Sequence, residues 1–403
     1  MFNAADIVGR SRKYRFLWRS GNHFQLLIDG IQFYPAMIKA IENAKSYVLL
    51  EMYLFESGLV ANRFIDALIH AVERDLTICL LLDDFGAQGL NKEDRARLIS
   101  AGVNLIYYNT MRYWKLRANL YRDHRKILIV DGQVAFVGGA GIADEFDALV
   151  HPKHFWRDTL LKIEGPNVAD WQDLFVENWQ RWCKPTLILP KPEFCIDEEG
   201  QNGRVSITRS PQYTEGKRSL LNQIRRARNR VWITTAYFVP PWKLRRALRQ
   251  AARKGVDVRI LLPGRYTDHS WVRHIGSHEY GRLLRHGVKI FEYQPRFSHT
   301  KMALCDSWVI LGSSNMDRWN MRWNLEADQE IDDSAFADLT AMMFQADLAN
   351  SVEVNYENWC QRSLSRRFSE WSWRKVAVLL EILSFGKISR PVINTRTRSD
   401  NRN

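Results

Sequence analysis

The sequence predicts an α/β fold built from two copies of one domain, and three observations carry that reading. Apolar patterning alternates between strand and helix periods from residue 46 to 108, and again from 231 to 293. The second run replays the first about 185 residues later, as SAGVNLIYYN (100–109) against RHGVKIFEYQ (285–294) shows; solenoid units, at about 20–50 residues, are far shorter. Alternating strands and helices imply mostly parallel, mixed sheets, and right-handed crossovers put helices on both faces, an α-β-α sandwich in each copy. A pseudo-twofold axis would relate the copies.

In chain order, a basic aromatic leader precedes a short strand and an amphipathic helix within 22–43. Ser46 to Phe55 (SYVLLEMYLF) has the β-branched and aromatic content of a buried strand. Helix Val60–Arg74, strand Thr77–Leu82, helix Lys92–Ala101 and strand Val103–Tyr108 follow. The second copy reads strand Val231–Phe238, helix Leu244–Arg253, strand Val256–Leu262, helix Glu279–His286 and strand Val288–Tyr293. Residues 184–204, with three prolines and a polar, glycine-containing end, are expected to link a first domain (1–183) to a second (205–361). Trp171, Phe175, Trp179 and Trp182 recur at helical spacing and are expected in the core, as are Phe336, Leu339, Met343 and Phe344.

At 403 residues and 46% hydrophobic content the chain can build two cores. Its five scattered cysteines form no CxxC or Cys/His cluster, so neither a disulfide framework nor a zinc site is indicated. The N-terminal stretch lacks the apolar centre of a signal peptide, and no run approaches the roughly 20 apolar residues that span a bilayer. Membrane contact is therefore expected from the surface. A net charge of +13 implies an anionic partner, and nucleic acid, lipid headgroups and phosphorylated metabolites all qualify. Beyond 361, Arg and Trp beside Val376–Leu383 suit a helix lying in a membrane interface, followed by a polar end expected to be disordered.

Each copy ends in the same pattern. His124-x-Lys126, four apolar residues, Asp131 and then Gly138-Gly139 match His299-x-Lys301, four residues, Asp306 and Gly312-Ser313. In a strand, residues i and i+2 share a face, so each motif presents an imidazole beside an ammonium. The aspartates lie an odd number of positions from their histidines and precede Gly132 or Ser307, which suits hairpin-closing or ion-pairing residues.

This doubled motif resembles the HKD signature of the phospholipase D superfamily, and FWRDTLLKIEGP and VWITTAYFVPP are most similar to bacterial cardiolipin synthases. The resemblance spans roughly residues 20 to 360 and implies two phospholipase D-like domains sharing one active site. It implies a catalytic set of His124, Lys126, His299 and Lys301, with Asp131 and Asp306 as motif members, and Asp158 and Glu326 as carboxylates supporting the imidazoles. Ser313, Asn315 and Gly139 would bind the phosphoryl group; Gly141 stands where the family has a second asparagine. Glu51, charged within an apolar strand, and Tyr237, read as its counterpart in the second copy, are further candidates that could line the cleft, with Glu51 alternatively paired to a lysine.

Imidazole is a competent nucleophile toward phosphorus and a proton carrier near neutrality, and two lysines can stabilise phosphoryl oxygens without a metal. By the resemblance, His124 would form a phosphatidyl-enzyme and His299 would act as acid and then base, with no metal or other cofactor. The expected function is cardiolipin synthesis on phosphatidylglycerol, with phosphatidylethanolamine a second candidate donor. An anionic membrane surface would be the partner, at the cytoplasmic face of a bacterial inner membrane, with no nucleic acid. Alternatives are phospholipase D hydrolysis, which differs only in the acceptor; a superfamily nuclease, which should carry a basic track; and a non-catalytic binder, which two intact His-Lys pairs disfavour. The aromatic, basic stretch Met111–Arg122 admits a nucleic-acid, a headgroup or a merely solvated reading.

Overall fold

The computed structural model describes residues 14–112, 118–190, 192, 194, 197–209, 213–268, 276, 279–317 and 323–361. The segment after 361, with its expected interfacial helix, lies outside the described residues, as does part of the 111–122 stretch. Among the described residues no helix is long and apolar enough to cross a membrane.

The first copy comprises β1 (Arg19–Ile28), α1 (Gly30–Glu42), β2 (Tyr47–Met52), α2 (Leu59–Glu73), β3 (Thr77–Asp83), α3 (Lys92–Ser100), β4 (Asn104–Tyr108), β5 (Arg122–Asp123), β6 (Lys126–Val130), β7 (Val134–Gly138), β8 (Thr159–Glu164) and α4 (Asn167–Trp182). The second comprises β9 (Gln201–Arg209), β10 (Tyr213–Thr214), α5 (Glu215–Arg226), β11 (Arg230–Thr234), β12 (Phe238–Val239), α6 (Trp242–Arg253), β13 (Asp257–Pro263), helix Tyr280–Leu284, β14 (Lys289–Tyr293), β15 (Met302–Cys305), β16 (Trp308–Gly312), β17 (Met316–Asp317), β18 (Asn324–Asp332), helix Ser334–Ala349 and β19 (Ser351–Glu353). β9 begins inside the stretch read as linker. Strand β2 is buried along its whole length, which explains its unbroken apolar run around Glu51.

Neighbouring strands run β4-β3-β2-β6-β7-β8-β1 in the first copy and continue across an antiparallel β1-β9 seam into β9-β18-β16-β15-β11-β13-β14-β19 in the second. The sheets are mixed, with less parallel pairing than the patterning suggests. Parallel pairing is concentrated in β2-β3-β4 and β11-β13-β14, where helices supply the crossovers. Elsewhere along this order the pairing is antiparallel: tight turns join the hairpins β6-β7 and β15-β16, and the remaining pairs bring together strands separated by longer segments of chain. One apolar cluster extends across the seam, from Leu49 and Ile127 to Leu304 and Leu311. Trp171, Phe175, Trp179, Phe336, Met343 and Phe344 are buried as expected, but Leu339 is 58% exposed and Trp182, at the end of its helix, 40% exposed.

The motif aspartates belong to this scaffold. Asp131 accepts hydrogen bonds from the backbone N–H groups of Lys45, Ser46 and Tyr47 at 2.8–2.9 Å; Asp306 does the same for Arg228, Asn229 and Arg230 at 2.8–3.0 Å. Both adopt positive φ, 54° and 51°, at the hairpin turn, at the far end of the strand from the histidine. Their grouping with the catalytic residues is thereby corrected: each ties the motif hairpin to the start of β2 or β11. Asp131→Asn, which leaves one N–H poorly satisfied, should lower unfolding stability by about 1–3 kcal/mol in a denaturant titration while leaving turnover of the folded fraction intact.

Candidate active site

Two short parallel pairings assemble the site. Asp123 pairs with Leu325, and the His124 N–H donates to the Leu325 carbonyl at 3.0 Å. Ser298 pairs with Arg157, and the His299 N–H donates to the Arg157 carbonyl at 2.7 Å. Each histidine is thus anchored to the residue just before a carboxylate in the other copy. The side chains follow: His124 Nδ1 lies 3.0 Å from the Glu326 carboxylate, and His299 Nδ1 lies 2.7 Å from Asp158 Oδ2. The two dyads are crossed, so neither copy holds a complete set, and Nε2 is the ring nitrogen each dyad leaves for substrate.

Strand alternation behaves as expected. Lys126 and Lys301 each donate to the carbonyl of their own histidine at 2.6 Å, and Lys301 Nζ lies 3.0 and 3.1 Å from the two ring nitrogens of His299. Arg125, one position off, faces the opposite way toward Glu51, 3.5 Å distant.

Burial and mutual charge set the electrostatics. Burial drives Lys126 down to about 7, against the pull of Glu326 and with a further push from Lys301. Burial raises Glu326 to about 7, opposed by Lys126. His299 is lowered to about 4 by burial and by Lys301, and His124 falls well below its ordinary value through burial and both lysines. That His124 feels Lys301, and Lys126 feels Asp158, places both motifs around one centre.

The small residues after each motif are explained by proximity. A Cβ on Gly139 would stand 2.7 Å from Asp158 Oδ2 and 3.1 Å from Lys301 Nζ, so a side chain there would push into the dyad. Ser313 hydrogen-bonds the Ala327 backbone and approaches Glu326. Asn315 is buried, and among the described residues neither its amide nitrogen nor its oxygen has a partner, an arrangement suited to a phosphoryl oxygen. At Gly141 a Cβ would meet Leu54 at 2.6 Å, so the first copy has no room for an asparagine.

A family profile described as "Cardiolipin synthase, PLD-like domain" matches residues 37–146 and 220–348, spanning both motifs. The chain belongs to this family. It is therefore an enzyme of the phosphatidyltransferase class within the phospholipase D superfamily. It is 34% identical over 371 residues to cardiolipin synthase A of Pseudomonas aeruginosa, covering 90% of this chain and 74% of that one. It is 29% identical over 367 residues to cardiolipin synthase of Oceanobacillus iheyensis, covering 90% and 76%. The fold matches the crystal structure of phosphatidylserine synthase from Haemophilus influenzae with a TM-score of 0.69 at 13% identity, covering 90% of this chain and 93% of that one.

One candidate, Glu51, falls outside the centre. Glu51 is fully buried with Arg125, Asn178 (3.0 Å) and Asp123, not with a lysine; burial and Asp123 push its carboxyl well above the usual range, and it belongs to a scaffold cluster. Tyr237 stays beside the centre, donating its hydroxyl to Asp268, whose charge acts on Lys301, and lying within electrostatic reach of Tyr53; the strand registers, Glu51 against Leu81 and Thr234 against Leu261, make Thr234 and not Tyr237 the counterpart of Glu51.

The family's site has aromatic walls that sequence reasoning missed. Tyr53 meets the His124 ring edge-on at 4.8 Å and lies 5.1 Å beneath Lys126 Nζ. Phe146, Trp156 and Phe297 surround His299 at 5.5–5.7 Å. Trp156 was signalled by the phrase FWRD, but apolar residues elsewhere in the chain give the same pattern without lining a site. Asp328 was also missed; it accepts from the Ser314 N–H at 3.1 Å and hydroxyl at 2.6 Å and so braces the turn carrying Asn315.

Proposed function

We propose that the protein transfers the phosphatidyl group of one phospholipid to the terminal hydroxyl of phosphatidylglycerol, giving cardiolipin, through a phosphohistidine intermediate on His124. The observation that carries this reading is the crossed pair of buried His-carboxylate dyads, each with its own motif lysine, around one centre. Before substrate arrives, burial and the two ammonium groups favour neutral imidazoles; the anionic phosphodiester offsets that charge and lets His299 hold a proton. His124 Nε2 then forms a bond to phosphorus as the P–O bond to the leaving alcohol breaks, and His299 protonates the departing oxygen. In the second half His299 takes the proton of the acceptor hydroxyl, the new P–O bond forms, and the P–N bond returns its electron pair to His124. Two inversions give net retention at phosphorus. Lys126, Lys301 and Asn315 hold the non-bridging oxygens, and the aromatic walls limit access of water, the competing acceptor.

The reading is tested by incubating the purified protein with phosphatidylglycerol vesicles and, separately, single-stranded DNA, with products identified by mass spectrometry. Cardiolipin and free glycerol are expected. Phosphatidic acid alone would make it a hydrolase, and cut DNA a nuclease.

The Lys126-Glu326 pair sets the pH dependence. Glu326 loses its charge as pH falls through about 7 and Lys126 loses its charge as pH rises through about 7, so the charged pair is fullest near neutrality. Accordingly kcat/KM should peak near pH 7 and fall on both sides. Lys126→Arg, which cannot lose its proton in this range, should extend activity on the alkaline side and leave the acid limb in place; an unmoved alkaline limb would remove Lys126 from that role.

A further inference from the structure

Beside the active centre, α5 and the start of α6 enclose a groove of about 530 Å³, within the size range of small-molecule sites. Its walls carry Lys217, Arg218, Arg225 and Lys243 and, among the described residues, no carboxylate. Some arginines elsewhere on the second copy are paired with carboxylates, as Arg204 with Glu330, Arg230 with Asp338 and Arg259 with Asp257. Burial and the nearby Lys243 ammonium depress the Lys217 pKa, so the groove concentrates positive charge that an anion would relieve. Lys217 also lines the inner cavity that holds Lys301, Asn315 and Glu326, so the groove and that cavity share a wall. At its rim Trp242 is 55% exposed with Arg246 over its ring at 5.4 Å, an aromatic-basic pairing suited to the headgroup level of a bilayer.

An acceptor phospholipid differs from water or free glycerol in one respect that this groove can read. It carries a fixed negative charge one glycerol arm away from the hydroxyl that reacts. Lys126 and Lys301 are engaged by the phosphatidyl group being transferred, and a second phosphodiester beside the first would be repelled unless it had cations of its own. We propose that the α5–α6 groove binds the phosphodiester of the acceptor phospholipid while its terminal hydroxyl reaches His299, so that Lys217, Lys243 and Arg225 select a charged lipid acceptor over neutral alcohols. This rests on the transferase reading above.

The test is an internal competition in neutral-detergent micelles. Phosphatidylglycerol serves as both donor and lipid acceptor, and isotopically labelled free glycerol competes as the uncharged acceptor. Cardiolipin reports lipid transfer, and labelled phosphatidylglycerol reports glycerol exchange. In Lys217→Gln/Lys243→Gln the ratio of cardiolipin to exchange product should fall by roughly tenfold, with a smaller fall in Arg225→Gln. Because both products come from the same folded enzyme, the ratio is insensitive to lost protein. An unchanged ratio, whether the two rates hold or fall together, overturns the subsite and leaves the transferase reading standing. Wild-type protein that forms neither product overturns both.

Discussion

His124→Ala and His299→Ala should each lower phosphatidyl transfer by about 10⁴-fold or more, yet fail at different steps. Neither ring belongs to the apolar clusters that hold the sheets, so circular dichroism should report an unchanged fold. With the nucleophile gone, His124→Ala should form no covalent adduct with any donor. His299→Ala keeps the nucleophile and lacks only the proton donor, so a donor with an acidic leaving group, such as a p-nitrophenyl phosphatidyl ester, should restore the first half-reaction. The adduct should then accumulate, because the acceptor hydroxyl has no base, and peptide mass spectrometry should place it on His124. The near-symmetry of the two dyads gives the pair of variants its force: an adduct on His299 in His124→Ala would reverse the assigned roles.

Asp158→Asn should lower kcat by about 10³–10⁴-fold with KM little changed. Asp158 Oδ2 accepts from His299 Nδ1 at 2.7 Å and so keeps Nε2 directed at the substrate oxygen. An amide can present N–H to Nδ1 instead, which favours the opposite tautomer and withdraws the charge that stabilises the imidazolium. Steady-state kinetics on the folded variant check this; a rise in KM at constant kcat would mean that Asp158 only shapes the binding site. Glu326→Gln should act on the other half-reaction, slowing formation of the His124 adduct.

Much of this site was legible because the chemistry repeats. His124, Lys126, His299 and Lys301 stand out from their spacing alone, since strand alternation is local and fixes which side chains share a face. Asp158 and Glu326 were found as equivalent acids in two similar phrases, but their crossed assignment was invisible. It arises from the pairings Asp123 with Leu325 and Ser298 with Arg157, contacts between residues far apart in sequence. Glu51 misled for a related reason: a carboxylate in an apolar strand signals a need for a partner, and pattern cannot say that the partners are Arg125, Asn178 and Asp123 beneath the sheet.

By itself the sequence determined the duplicated α/β architecture, the two His-Lys faces and the hairpin role of Asp131 and Asp306, because periodicity, repetition and turn chemistry act over a few residues. Only the tertiary structure decided which carboxylate serves which histidine, which aromatic rings wall the centre, and that Lys217 joins a cationic groove to it. Those outcomes depend on how the two sheets meet, along β1-β9 and β5-β18, and burial at that junction, which moves Lys126 and Glu326 toward neutrality, is a property of the packed chain.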